Sequence, residues 1–200
     1  TSSHVVIAIG TNNDSDYDVT YEHGAAWAEM VVEADNLLTE SIKNQVSLVA
    51  ASNMELEFDD PASTTAWVNG YDENSQYPFR LYNVGNASGC PPYGSCGDPY
   101  DPEDWTQDDV WYISYGCRKC YPLPMIYSNN WANAEQWQHI AKYADEVKGQ
   151  ECMSFRGVVT QYFACTQRPE DETCRDLDNT PEQGYKQLYE VLTEDPITAC

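Results

Sequence analysis

Positive charge is scarce in this chain. Lysine and arginine number 10 in 200 residues against 33 aspartates and glutamates, for a formal net charge of −23. Such a field repels phosphate backbones and anionic lipid surfaces, which argues against nucleic acid and membrane as partners. Long apolar runs are also missing: nothing approaches the roughly 20 residues of a membrane span, and no stretch of these residues reads as a signal peptide. Histidine occurs three times, as His4, His23 and His139, each isolated from the others. Neither a metal shell nor a Ser-His-Asp triad can be assembled from them. There is no glycine-rich phosphate loop and no nucleophile elbow, so nucleotide cofactors and serine-esterase chemistry have no anchor, and no cofactor is expected. Calcium is the one ion with a trace of a signal. Asp14, Asp16 and Asp18 alternate as at the start of a calcium loop, but without its glycine and distal glutamate a solvated acidic turn is the better reading.

What the chain does have is eight cysteines: Cys90, Cys96, Cys117, Cys120, Cys152, Cys165, Cys174 and Cys200. Several are close in sequence and sit among Gly, Pro, Asp and Asn, which suits loop staples. Cys117-Arg-Lys-Cys120 has no second CxxC to complete a zinc site. Disulfides, with Cys90–Cys96 and Cys165–Cys174 favoured as local loops, point to an oxidising, extracellular compartment. The chain begins at Thr1, a few residues before the apolar run His4–Ile9, as a processed or cut N-terminus would. With 42% hydrophobic residues and this length, one domain spanning 1–200 is expected.

β-branched, apolar runs bounded by turn residues recur roughly every 30 to 45 residues, at Val5–Ile9, Val46–Ser52, Phe79–Val84, Leu123–Tyr127 and Gly157–Phe163. Helices are predicted between them. Gly24–Glu40 carries a 3.6-residue apolar stripe, Asp60-Pro61 supplies a cap and first-turn proline, and Thr106 and Thr180 open capped segments. Asn133-Ala-Glu-Gln136 has the capping-box pattern. Strands alternating with helices imply a parallel sheet and an α/β class. About five such units fit a doubly wound sheet or part of a (β/α) barrel, and the expectation taken is a TIM-barrel-like fold, incomplete or truncated at its N-terminus. The Gly/Pro/Asp-rich stretch 86–105 is a disulfide-bearing loop excursion at the ligand-facing edge.

In such folds ligands bind at the carboxyl ends of the strands. The residues there include Asn12 and Asn13, Asn53, Asn83 and Asn86, Ser128-Asn-Asn130, and Gln161-Tyr162, a set of amides and aromatics suited to sugar hydroxyls. The sharpest pattern is Asn53-Met-Glu-Leu-Glu57. Alternation puts Asn53, Glu55 and Glu57 on one face, with the two carboxylates about 6.6 Å apart at the backbone. That is close enough to divide acid and base roles as in glycoside hydrolysis. An amphipathic strand turning its acidic side to water is the competing reading. Asn13-Asp-Ser15 and Asn86-Ala-Ser88 are glycosylation sequons.

A strand ending in Glu55-Leu-Glu57, then Pro124-Met-Ile-Tyr-Ser-Asn129 with Trp131, then Val158-Val-Thr-Gln-Tyr162 resembles the lysozyme-type glycoside hydrolases of the barrel fold and their non-catalytic relatives. The chain departs from that group's pattern in having Glu-x-Glu for Asp-x-Glu, Thr160 for a tryptophan, and no aspartate directly after the first strand. The resemblance implies a barrel, Glu55 or Glu57 as general acid, Asn129, Gln161 and Tyr162 lining a glycan groove, and a polysaccharide or glycan as partner. The expectation is therefore a secreted carbohydrate-active domain. The alternative is a structural extracellular subunit, of a surface layer, spore or filament, that self-associates through open strand edges.

Overall fold

The fold is given by a computed structural model, which describes all residues except 1–2, 15–18, 76–78, 93, 97–104, 151 and 200. Four strands form one all-parallel sheet: β1 (Val5–Asn12), β2 (Val46–Asn53), β3 (Leu81–Asn83) and β4 (Cys120–Pro122), in spatial order β1-β2-β3-β4. Asn12 pairs with Asn53 in register, and Ser52 with Asn83, so the carboxyl ends of three strands come level and asparagines collect there. The helices described are α1 (Tyr21–Asn36), α2 (Glu40–Lys43), α3 (Pro61–Asn74), α4 (Gln107–Trp111), α5 (Ala132–Glu146), α6 (Tyr162–Thr166) and α7 (Pro181–Glu194). A π-helical turn, Tyr112–Gly116, continues α4.

The caps read from the sequence operate. Asp60 Oδ1 accepts from the amides of Ala62 and Ser63 at 2.8 and 2.9 Å, with Pro61 in the first turn of α3. Thr106 with Asp109, and Thr180 with Gln183, form complete capping boxes for α4 and α7. Asn133 does not cap α5. Its Oδ1 instead accepts from the Tyr127 and Ser128 amides, and the residue at the N-cap is Trp131 in the left-handed region at φ 74°.

One core joins the layers. Ala50, Met54 and Leu81 from the sheet region meet Ala28 and Val31 of α1, Trp67, Val68 and Tyr71 of α3, and Trp137 and Ile140 of α5. α1 and α3 cross at two glycines. A Cβ on Gly24 would fall 1.9 Å from the Trp67 carbonyl oxygen, and one on Gly70 would fall 1.9 Å from that of Tyr21. Backbone-to-backbone contact of this kind admits only glycine. Cys90–Cys96, Cys117–Cys120 and Cys165–Cys174 are disulfides, Cys152 is disulfide-bonded as well, and Cys200 lies outside the described residues. No helix among the described residues is long and apolar enough to cross a membrane.

The barrel expectation is overturned: the sheet is open and four-stranded. Past β4 the chain stays extended, with the Leu123 amide donating to the Asn83 carbonyl and that of Met125 to the Gly85 carbonyl. Pro122 and Pro124 remove donors from this stretch, which limits the ladder. The predicted fifth strand, Gly157–Phe163, contributes a single bridge, Met125↔Val159. It begins at a glycine with φ 130° and passes into α6. On the other side β1 pairs only with β2 among the described residues, and Val5, Val6 and Ile7 are about half exposed, at 52, 50 and 46%. Barrel closure would cover such an edge on both faces.

Candidate functional site

The chain leaves β2 at Asn53 and turns at once, the Phe58 amide donating to the Glu55 carbonyl at 3.1 Å. The strand expected to run through Glu57 stops at Asn53 and 56–58 is a turn, so the backbone spacing of a strand does not apply to the glutamates, although burial still alternates. Met54 and Leu56 are 1 and 3% exposed and anchor it to the core, which leaves Asn53 and Glu55 partly exposed and Glu57 exposed.

Glu55 is fixed from two sides. Its backbone is clamped by the side chain of Asn13, which accepts from the Glu55 amide at 3.0 Å and donates to its carbonyl at 3.1 Å and to Thr64 Oγ1 at 3.1 Å. Its carboxylate accepts from Asn53 Nδ2 at 2.8 Å on one oxygen and from Asn86 Nδ2 at 3.3 Å on the other. The same Asn86 amide donates to Glu57 Oε2 at 3.0 Å, which keeps those two glutamate oxygens within about 6.3 Å of each other. The pair is thus bridged by one amide.

The surroundings are acidic and partly apolar. Burial first, and the Glu55 charge second, push the Tyr127 hydroxyl up to about 12, so it stays a neutral phenol. Burial, then the neighbouring Asp60 and Asp14 charges, also raise Asp59 above the usual carboxylate range, against the lowering effect of its bond from the Asp60 amide. Trp105 Nε1 donates to the Asp59 carbonyl at 3.1 Å, tying the end of the 86–105 excursion to this corner. Beside it an open cleft of about 800 Å³ is lined by Gly10, Thr11, Asn12, His23, Trp27, Asn53 and Trp67, among others. Asn53 belongs to both: it walls the cleft and holds Glu55.

Of the residues picked from the sequence, Glu55, Glu57 and Asn53 come together, and Asn12 lines the adjoining cleft. Asn83 is fully buried and donates to Ser114 Oγ at 2.7 Å beneath the sheet end, away from the surface. Asn129 Nδ2 donates to Asp178 at 2.7 Å, Gln161 Nε2 to the Leu177 carbonyl at 3.1 Å, and the Tyr162 ring stands edge-on to Phe163. These bonds go to the loop that precedes α7, not to the glutamates. Asp16 and Asp18 lie outside the described residues; no group of three or more His, Cys, Asp or Glu that could hold a metal is found among the described ones. The central parts of Asn13, Asn86 and Tyr127 are not readable from spacing. Asn13 and Asn86 are only 2 and 8% exposed, and their sequons gave no sign that both amides are committed inside the fold.

The described molecule is thus an α/β domain with an amide-bridged glutamate pair at the carboxyl edge of an open parallel sheet. Comparison with protein-family models, with curated proteins and with solved structures returned no match.

Proposed function

We propose that this chain is a secreted carbohydrate-active domain in which Glu55 and Glu57 act as a glycoside hydrolase pair. The observation that carries the reading is the shared Asn86 amide, which fixes the two carboxyl groups near each other, with Asn53 linking Glu55 to the adjoining cleft. An oxygen separation of at most about 6.3 Å falls short of the inverting range, about 6.5–9.5 Å, and leaves room for the retaining spacing of about 5–5.5 Å. Roles follow from environment. Glu55 accepts amide bonds on both oxygens, the pattern of a carboxylate, and serves as nucleophile toward the anomeric carbon. Glu57 is exposed and bonded through one oxygen; it protonates the leaving oxygen and then activates the incoming water. The disulfides support an extracellular setting, where polysaccharides are met.

The test is hydrolysis of a panel of peptidoglycan, chitin and plant polysaccharides beside Glu55→Gln and Glu57→Gln. Loss of activity by a factor of 100 or more in either variant, with folding intact, is expected. A wild type inactive on every polymer would sink the hydrolase reading in favour of a structural subunit, which the exposed β1 edge would serve.

A further inference from the structure

Among the described residues, every lysine and arginine except Arg80, Arg156 and Arg175 is ion-paired with an aspartate or glutamate. With 33 carboxylates for 10 cations, an arginine without a carboxylate is the exception. Arg175 has acidic neighbours, in a pocket also lined by Glu170, Glu172 and Asp178. Arg80 and Arg156 instead share one aromatic ring. Their guanidinium carbons stand 4.9 and 4.0 Å from the centroid of Tyr121, so no more than about 8.9 Å separates them. The ring attracts both cations but accepts none of their planar N–H bonds, and two like charges this close repel. Their placement is fixed by the backbone. The Arg80 carbonyl accepts from the Ala50 amide at 2.9 Å just before β3, and the Arg156 amide donates to the Pro122 carbonyl of β4 at 2.9 Å. Tyr121 is held edge-on by Tyr82 and Tyr115, with centroids at 6.4 and 6.5 Å. On the Tyr115 side of the ring an open pocket of about 480 Å³ is lined by Tyr115, Arg118, Tyr121 and Gln150, among others, and by no carboxylate among the described residues. Arg118 spends its charge on Asp72 at 3.1 Å, whereas Arg156 is exposed and Arg80 half-buried with theirs unmet.

We propose that Arg80 and Arg156 form a binding site for an oxyanion, a carboxylate or sulfate group, whose oxygens accept from the two guanidinium groups fixed on Tyr121. Such forks match the paired oxygens of these groups and bind them through charge-assisted hydrogen bonds, which also relieve the repulsion between the two arginines. The net charge of −23 opposes an anion at long range. At about 0.15 M salt that field is screened beyond about 8 Å, whereas the guanidinium contacts are made inside this distance. The group arrives either as a free inorganic ion or as part of an acidic saccharide, for which the neighbouring pocket has room. The site is separate from the glutamate pair and does not depend on the carbohydrate reading.

The test is a two-dimensional NMR titration of the intact protein that follows the arginine Nε–H signals, with ionic strength held at about 0.15 M by chloride. The probes are inorganic sulfate, the galacturonic acid trimer and the uncharged galactose trimer. Saturable shifts of the Arg80 and Arg156 signals are expected with sulfate and with the acidic trimer, and none with the neutral one. Arg80→Gln and Arg156→Gln should each weaken binding at least tenfold. Arg175→Gln, which removes the same charge elsewhere, should leave affinity within twofold. Arg156 is exposed, so its variant should fold, and Arg80→Gln provides a second check. Acidic trimer binding at least tenfold more tightly than sulfate supports the site as one for an acidic saccharide; comparable affinities support it as one for the free ion. Absence of saturation with both anions would overturn the proposal. So would equal binding of the neutral trimer, or an equal loss in Arg175→Gln, since overall charge would then account for the effect.

Discussion

Replacing Asn13 by alanine should destabilise the whole domain, although the residue lies in the loop that follows β1. Its side chain is 2% exposed and makes three hydrogen bonds to residues 42 or 51 positions away, so it ties the end of β1 to the Glu55 turn and to α3. Truncation orphans the Glu55 amide, the Glu55 carbonyl and the Thr64 hydroxyl together. Each buried polar group left without a partner costs about 1–3 kcal/mol, and partial access of water to the Glu55 backbone brings the expected total to about 2–4 kcal/mol. Against the roughly 5–15 kcal/mol that holds a domain together, that is a large share. For a chain of this length each kcal/mol moves the midpoint by about 2–4 °C, so the melting temperature should fall by roughly 4–16 °C. Urea denaturation and thermal circular dichroism, both with the disulfides oxidised, measure it. Thr64→Val removes one of the three bonds and should cost about 1 kcal/mol, and the double variant should cost less than the sum of the two. Asn13→Ala within about 0.5 kcal/mol of the wild type would refute the clamp and with it the claim that Glu55 is held in place.

Two further outcomes follow from features of the fold. Gly24→Ala drives a methyl to 1.9 Å from the Trp67 carbonyl, which cannot be relieved by a rotamer change, so α1 and α3 must separate and stability should drop by about 3 kcal/mol or more; a variant melting like the wild type would show that the helices can part freely. Tyr127, with its hydroxyl raised to about 12 from 10.0, favours the folded state below pH 10, and that contribution disappears as pH climbs through about 12; Tyr127→Phe should therefore flatten the alkaline fall in melting temperature between those values, and identical alkaline profiles for the two proteins would contradict it.

The parts of this architecture that depend on short-range chemistry are legible in the sequence. The Thr106, Thr180 and Asp60-Pro61 caps act within a single turn, and the alternation Met54, Glu55, Leu56, Glu57 survives because two buried side chains pin its phase. What the sequence hides is long-range or contrary to propensity. Trp131 takes a left-handed conformation that its bulk disfavours, and Asn133 abandons a well-formed capping pattern for the strand end before it. The barrel was inferred from five apolar runs, yet the fifth contributes a single bridge and the first leaves its outer edge bare; periodicity identifies strands but not whether a sheet closes. Asn86 could be placed at a strand end, but its bond to both glutamates spans 31 and 29 residues and exists only once the sheet has assembled.

Because Asn13 and Asn86 commit their amide nitrogens inside the fold, the route by which the chain is made decides whether it can assemble. Each begins an acceptor sequon, and oligosaccharyl transfer to either would convert the donor into a bulky, solvated attachment where the native structure leaves no room. A secretory host that decorates asparagine during translation would compete with folding at both positions. A host without such a transferase would deliver the unmodified chain whose amides close the site.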